Sequence, residues 1–271
     1  MDAWLADPMV QASLAPFVAA FLTALILFKL RLGGLAAAAG FYTTVYLAGG
    51  LAFTPLTATR KVLLLGLVAP AIGALADLAF RPRRTTEVVL GVLFGAASAW
   101  VFWSVLAQKA PAQAALAGVG IALFVAWTCG FMASLERDSV RAGAAGLALG
   151  LGAGVSAVMA ASAVLGIYGM ALGSACGAFL LLQMLLGRRI DAGLAFALTA
   201  GVIAALLAGA AMMLASLGWI ELALLALVPL AARIPVPPRW PVWAQALALS
   251  ACTLACGAAA AGAAWLATRS G

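Results

Sequence analysis

The sequence predicts an all-α polytopic membrane protein of about ten transmembrane helices. Of its 271 residues, 66% are hydrophobic and only 8% are charged, whereas a water-soluble domain is roughly 45–50% apolar and about 25% charged. The few charges and prolines separate apolar stretches close to the roughly 20 residues that one transmembrane helix needs. This composition excludes a water-soluble enzyme or a disordered linker. The expected surroundings are a lipid bilayer, and nucleic acid is not an expected partner.

The apolar stretches define the spans in order. Five blocks of one membrane thickness cover residues 9–28, 33–56, 62–80, 88–107 and 112–135. Block 142–187 carries no charge and is too long for one helix, so we predict two spans with a turn at residues 166–169, where glycine permits reversal. Block 192–232 also predicts two spans, with a turn at 216–221. A last span covers 242–266, after a proline-rich connector at 235–241.

Basic residues predict how the chain lies in the membrane. With the N-terminus outside, 11 of the 15 Lys and Arg fall on the cytoplasmic side and 4 fall outside, as the positive-inside rule requires. Both termini are therefore predicted outside. The acidic start of the chain is unlike a secretory signal, so the first block is expected to be a retained span. The Ala- and Gly-rich composition is typical of a bacterial cytoplasmic (inner) membrane protein.

The chain is predicted to form a single membrane domain over residues 1–271, with no soluble domain. The mixed-charge loop at 136–141 divides it into halves, 1–135 and 142–271. Five spans in each half would give the halves opposite orientations, as in carriers built from inverted repeats. This symmetry follows from the count of spans alone, because the halves share no evident residue pattern.

Glycines at helical spacing form the strongest local motif. Two stripes recur at every fourth residue on neighbouring spans, comprising Gly146, Gly150 and Gly154, then Gly169, Gly173 and Gly177. In lipid, helices associate through close backbone contact at small residues. The stripes therefore predict a tightly packed hairpin, and static packing, a moving seam and a homodimer face remain alternatives for their role.

One acidic residue lies within a predicted span. Asp77 is in the third block, where an ionisable side chain is a candidate functional group because its burial is costly. Arg81, four residues later, offers a local ion pair as the alternative. Pro70 and Gly73 in the same span predict a hinge.

Other polar side chains could line a substrate path with Asp77. Tyr42, Thr43 and Tyr46 lie on the second span, and Gln183 lies on the seventh. Hydrogen bonding between helices is the alternative interpretation.

Two charged positions are predicted on the outer face. Arg60 and Lys61 form a basic pair that could contact anionic solutes or lipid headgroups, or could simply be a solvated turn. Glu221 is expected to be a solvated acid at the start of the ninth span, where the helix dipole favours it.

Catalytic and cofactor motifs are missing from the sequence. The chain has no His, no nucleotide-binding glycine loop and no embedded pair of acids at metal-ligand spacing. The cysteines at 129, 176, 252 and 256 lie in apolar blocks and are expected to be packing residues. We therefore expect no enzyme activity, no cofactor and no metal.

These observations favour a carrier or flippase for a small solute or lipid-linked substrate, with a polar path through spans two, three and seven. The alternative is a non-catalytic scaffold that assembles with other membrane subunits or with a second copy of itself. A carrier should contain a polar cavity that reaches Asp77 or the Tyr42/Tyr46 face. A scaffold should be packed solid, with an exposed flat seam.

Overall fold

Ten α-helices follow one another in the part of the chain that the computed structural model describes, which is residues 7–30, 32–51, 54–79 and 84–270. No strand occurs in these residues. The helices are α1 (Val10–Leu27), α2 (Ala36–Gly49), α3 (Ala58–Ala79), α4 (Arg84–Leu106), α5 (Pro111–Ala133), α6 (Ser139–Met159), α7 (Ala163–Leu186), α8 (Gly193–Leu214), α9 (Trp219–Ala231) and α10 (Val242–Ser270).

Eight of these helices are long and apolar enough to cross a membrane, which confirms an all-α multi-pass protein. The two shorter ones are α2, with 14 residues, and α9, which is interrupted at Leu227. Each predicted block contains one helix, or two where two were expected. The count of full-length spans is nevertheless eight rather than ten in the described residues, because α2 ends at Gly49, well before the end of its block, and α9 covers only Trp219–Ala231.

Successive helices run in opposite directions. The Thr44 hydroxyl of α2 donates to the Gln11 carbonyl at the start of α1, and Arg188 after α7 lies over the Phe28 ring after α1. Arg189 donates to Gln245 at the start of α10. Such contacts gather the last residues of odd-numbered helices and the first residues of even-numbered ones at one end of the bundle. We call this the arginine-rich end.

The reversal between α6 and α7 differs from the predicted one. The helices are joined at residues 160–162, where Ala161 adopts a left-handed conformation with φ 66°. The predicted turn at 166–169 was wrong, because Gly166 and Gly169 belong to α7 and approach α6 closely. The second reversal, between Leu214 and Trp219, overlaps the predicted one.

The centre of the bundle is α8, whose whole span is buried, and α6 and α7 are mostly buried beside it. The glycine stripes of α6 and α7 face each other across this core. A Cβ atom on Gly150 would lie 2.3 Å from the Gly173 nitrogen, and one on Gly169 would lie 2.5 Å from the Gly154 Cα. The backbones of α6 and α7 are therefore in contact along the two glycine stripes, and this contact is formed between helices of the same chain.

Candidate functional site

Asp77 joins the end of α3 to the start of α8. Its carboxylate accepts backbone hydrogen bonds from Leu194 at 2.9 Å and from Ala195 at 3.1 Å. A carboxylate at a helix N-terminus satisfies unpaired N–H groups and is favoured by the helix dipole. The preceding Gly193 has φ +63°, and a Cβ there would lie 2.3 Å from the Asp77 carboxylate. Arg81, the predicted ion-pair partner, lies outside the described residues.

The predicted hinge lies within one continuous helix. α3 extends through Pro70 to Ala79. Gly73 faces α8, and a Cβ on it would lie 2.5 Å from the Ala195 Cα. Gly73 therefore allows the close approach that brings Asp77 to the start of α8.

The polar side chains of α2 point to separate partners. The Tyr42 hydroxyl donates to the Leu63 carbonyl at 2.6 Å, and the Thr43 hydroxyl donates to the Ala39 carbonyl of its own helix at 2.8 Å. Tyr46 is 65% exposed on the surface of the bundle. The structure therefore does not bring Tyr42, Thr43 and Tyr46 together around one space.

Gln183 connects three segments at the arginine-rich end. It is fully buried, and its side-chain oxygen accepts from the Ser139 hydroxyl at 2.6 Å and from the Ile190 nitrogen at 3.4 Å. Its amide nitrogen donates to the Phe179 carbonyl at 3.4 Å. Gln183 thus holds the start of α6 against the end of α7.

The basic pair at the opposite end also contacts protein groups. Arg60 donates to the Pro55 carbonyl at 2.9 Å. Lys61 donates to the Trp100 carbonyl at 3.3 Å and lies 5.0 Å from the centre of the Trp100 ring. The two cations are therefore directed to different neighbours.

Glu221 is buried rather than solvated. It begins α9 as expected, but it is only 4% exposed. Its carboxylate lies close to Gly218, and the neighbouring Trp219 packs against Gly120 of α5. The start of α9 is buried against α5, and the expectation of a solvated acid was therefore wrong.

Sequence reasoning missed a cavity of about 840 Å³ at the arginine-rich end. We call it the α4–α5 cleft. It is bounded by α4, α5, the loop that follows α5, the start of α6 and the segment after α9. Its lining residues are Arg84, Glu87, Val88, Val92, Ala126, Trp127, Gly130, Phe131, Ser134, Leu135, Glu136, Arg137, Asp138, Arg141 and Arg233. The available signal was the mixed-charge loop at 136–141, which sequence reasoning used only to divide the chain and to orient it.

The arginines of the cleft differ in their roles. Arg141 is tied into the fold, because it pairs with Asp138 at 3.0 Å and donates to the Ala232 and Ile234 carbonyls at 2.5 and 2.9 Å. Arg233 is exposed, donates to Ser134 and lies 4.5 Å from the centre of the Phe131 ring.

Arg84 and Arg137 complete the basic lining. Arg84 is exposed at the start of α4, and the Arg137 side chain is 78% exposed. With Arg233, the cleft therefore presents three solvent-accessible guanidinium groups.

Glu136 is the buried acid of the cleft. It is only 7% exposed. One carboxylate oxygen, Oε1, lies 3.4 Å from the Arg137 guanidinium, while Oε2 is buried with no hydrogen-bond partner among the described residues. Burial, together with the negative charges of Asp77 and Glu87, raises the pKa of Glu136 to about 7, against the opposing effect of Arg137.

An apolar wall continues from the charged part of the cleft along the hairpin. The Trp127 and Phe131 rings lie 4.3 Å apart, and the Trp127 indole donates to the Ala226 carbonyl at 3.0 Å. Val88 and Val92 are 63% and 58% exposed. The cleft is therefore amphipathic, with cations at the helix ends and apolar side chains toward the middle of the spans.

Within the described residues, no group of three His, Cys, Asp or Glu side chains could hold a metal ion. All four cysteines are free, and Cys129 and Cys176 are buried.

Comparison of the chain with protein-family models, curated proteins and solved structures gives no match. The function proposed below therefore depends on the cleft and on the helix packing.

Proposed function

We propose that this multi-pass membrane protein is a carrier that loads an amphiphile with an anionic headgroup into the α4–α5 cleft. The observation that supports this is the combination of three exposed guanidinium groups with an apolar wall in one cavity. Its volume of about 840 Å³ is typical of small-molecule sites, which occupy roughly 300–1,000 Å³. Guanidinium groups bind phosphate and carboxylate oxygens through paired hydrogen bonds.

The position of the cleft fits such a ligand. Its cations lie at the ends of membrane-length helices, where lipid headgroups are found. An alkyl chain could follow the exposed Val88 and Val92 along α4. We further propose that the arginine-rich end faces the cytoplasm of a bacterial cell, in line with the excess of basic residues there.

This route differs from the path first expected through spans two, three and seven. Tyr42, Asp77 and Gln183 each hydrogen-bond to a different segment, and none of them lines the cleft. We therefore place the moving substrate beside the α4–α5 hairpin, which lies at the edge of the bundle.

A non-catalytic scaffold is the second candidate. The complete burial of α8 and the backbone contact between α6 and α7 favour it, because a solid core offers no route for a solute. A scaffold would bind a lipid headgroup in the cleft without moving it across the membrane.

Lipid translocation in proteoliposomes distinguishes the two functions. The purified chain is reconstituted with a fluorescent short-chain phosphatidylglycerol, and a membrane-impermeant quencher reports the fraction that reaches the inner leaflet. The carrier proposal expects faster equilibration than in protein-free vesicles and slower equilibration with Arg233→Gln. Fluorescent phosphatidylcholine provides the zwitterionic comparison. Arg269→Gln is the matched control, because Arg269 lies in the last turn of α10, at the end of the bundle opposite the cleft.

Each outcome decides between the candidates. Equilibration of phosphatidylglycerol that is no faster than in protein-free vesicles contradicts the carrier and supports the scaffold. Equal effects of Arg233→Gln and Arg269→Gln would show that the cleft does not load the lipid.

A further inference from the structure

We propose that Glu136 is a proton-binding group of the α4–α5 cleft, and that a proton and an anionic headgroup bind there cooperatively. The inference rests on the anionic ligand proposed above, but it does not require that the ligand crosses the membrane. It makes the affinity of the cleft for an anionic ligand dependent on pH.

The first observation is the competition for Arg137. Glu136 Oε1 lies 3.4 Å from the Arg137 guanidinium, which lines the same cleft. When Glu136 is ionised, it neutralises part of the positive charge that would attract a headgroup. Protonation removes that competing charge, so the guanidinium interacts more strongly with an incoming anion.

The second observation is the unpaired oxygen of Glu136. Oε2 is buried and has no hydrogen-bond partner in the described part of the chain. An ionised oxygen without a partner is costly in such a place. A protonated carboxyl group is neutral and does not carry this cost. A bound anion, which adds negative charge nearby, therefore favours the protonated form of Glu136.

The surrounding charges explain why this proton exchanges near neutral pH. Burial first, then Asp77 from α3 and Glu87 from α4, raise the pKa of Glu136, and Arg137 lowers it, which leaves the pKa at about 7. The other charged groups that line the cleft are Arg84 from α4, Asp138 from the loop, Arg141 from α6 and Arg233 after α9.

The direction of the coupling follows from these charges. A bound anion adds negative charge beside Glu136 and so raises the pKa of its carboxyl group further. Binding at a pH above 7 therefore takes up a proton from water, which stays on Glu136 while the headgroup is bound. By linkage, one proton makes affinity fall by at most about tenfold for each pH unit above 7.

Binding of octane-1-sulfonate to the purified full-length chain in a neutral detergent tests the proposal. The charge of this probe is constant over the pH range used, so any pH dependence belongs to the protein. Titration calorimetry in two buffers of different ionisation enthalpy gives both Kd and the number of protons taken up. We expect Kd to rise about tenfold or more between about pH 6 and about pH 8.5, with uptake approaching one proton at the higher pH.

Glu136→Gln should bind the probe with the same affinity at both pH values and without proton uptake. Glu221→Gln is the matched control, because Glu221 is equally buried but does not line the cleft. This variant should retain the pH dependence. The proton count of the wild-type chain is informative even if Glu136→Gln fails to fold.

The possible failures are distinguishable. Binding that is independent of pH in the wild-type chain, or equally pH-dependent in Glu136→Gln, contradicts the role of Glu136 and leaves the anion site intact. An absence of probe binding at every pH contradicts the anion site itself, and with it both proposals.

Discussion

The α6–α8 core and the α4–α5 hairpin both pack through closely approaching glycines, but they differ in how far they are buried and in the charges at their helix ends. A Cβ on Gly150 in the core would clash with the Gly173 backbone, and one on Gly91 in the hairpin would lie 2.6 Å from the Ala126 carbonyl oxygen. The core helices are mostly or wholly buried, whereas only 39% of α4 and 33% of α5 are buried. Glycine spacing alone therefore does not distinguish the buried core from the more exposed hairpin, whereas the charged ends of the hairpin helices do.

Buried polar groups show the same contrast. Gln183 in the core uses its oxygen and its nitrogen to connect the end of α7 to Ser139 at the start of α6, and its oxygen also accepts from Ile190. Glu136 beside the hairpin lines the cleft and has one buried oxygen without a hydrogen-bond partner among the described residues. The first arrangement stabilises the fold, whereas the second leaves an interaction available for a proton or a ligand.

The largest expected effect is on the core. Gly150→Leu should lower the free energy of unfolding by at least about 3 kcal/mol, because its Cβ would meet backbone atoms that cannot move aside. The measurement is thermal unfolding in detergent. Gly262→Leu is the control, since a Cβ at Gly262 meets nothing within 4 Å. Equal stability of the two variants would contradict the tight core.

Sequence reasoning was accurate where composition and periodicity carry the information. The apolar blocks predicted the helices, and the spacing of Gly150 and Gly173 identified surfaces that lie in contact. The reversal at Ala161 was missed because alanine has no turn preference, while Gly166 and Gly169, which do favour turns, serve helix packing.

The candidate site was harder to predict, because it depends on contacts between distant segments. Asp77 was recognised as unusual, but its partners Leu194 and Ala195 lie far along the chain. Glu136 and Arg233 were assigned to loops that set orientation. Only the folded chain shows that they line one cavity.

A smaller effect on stability, in the stabilising direction, is expected for Glu136→Gln beside the hairpin. The pKa of Glu136 is about 7 in the folded chain and about 4.5 ordinarily, so stability falls as pH rises from 4.5 to 7 and stays reduced above 7. Glu136→Gln removes this penalty and should stabilise the chain by up to about 3 kcal/mol at about pH 8. Near pH 4.5 the gain should vanish. Thermal unfolding at both pH values measures it, and a gain that is equal at both would contradict the buried acid.

The smallest effect concerns Asp77, which belongs to both regions: it holds the start of α8, and its charge acts on Glu136. Asp77→Asn should cost about 1 kcal/mol, since the amide keeps one acceptor oxygen but loses the charge that favours the helix N-terminus. Removal of that charge should also lower the pKa of Glu136, so the pH midpoint of octane-1-sulfonate binding should move down. Asp191→Asn is the control, because Asp191 is exposed. An unchanged midpoint in Asp77→Asn would show that the core and the cleft act independently.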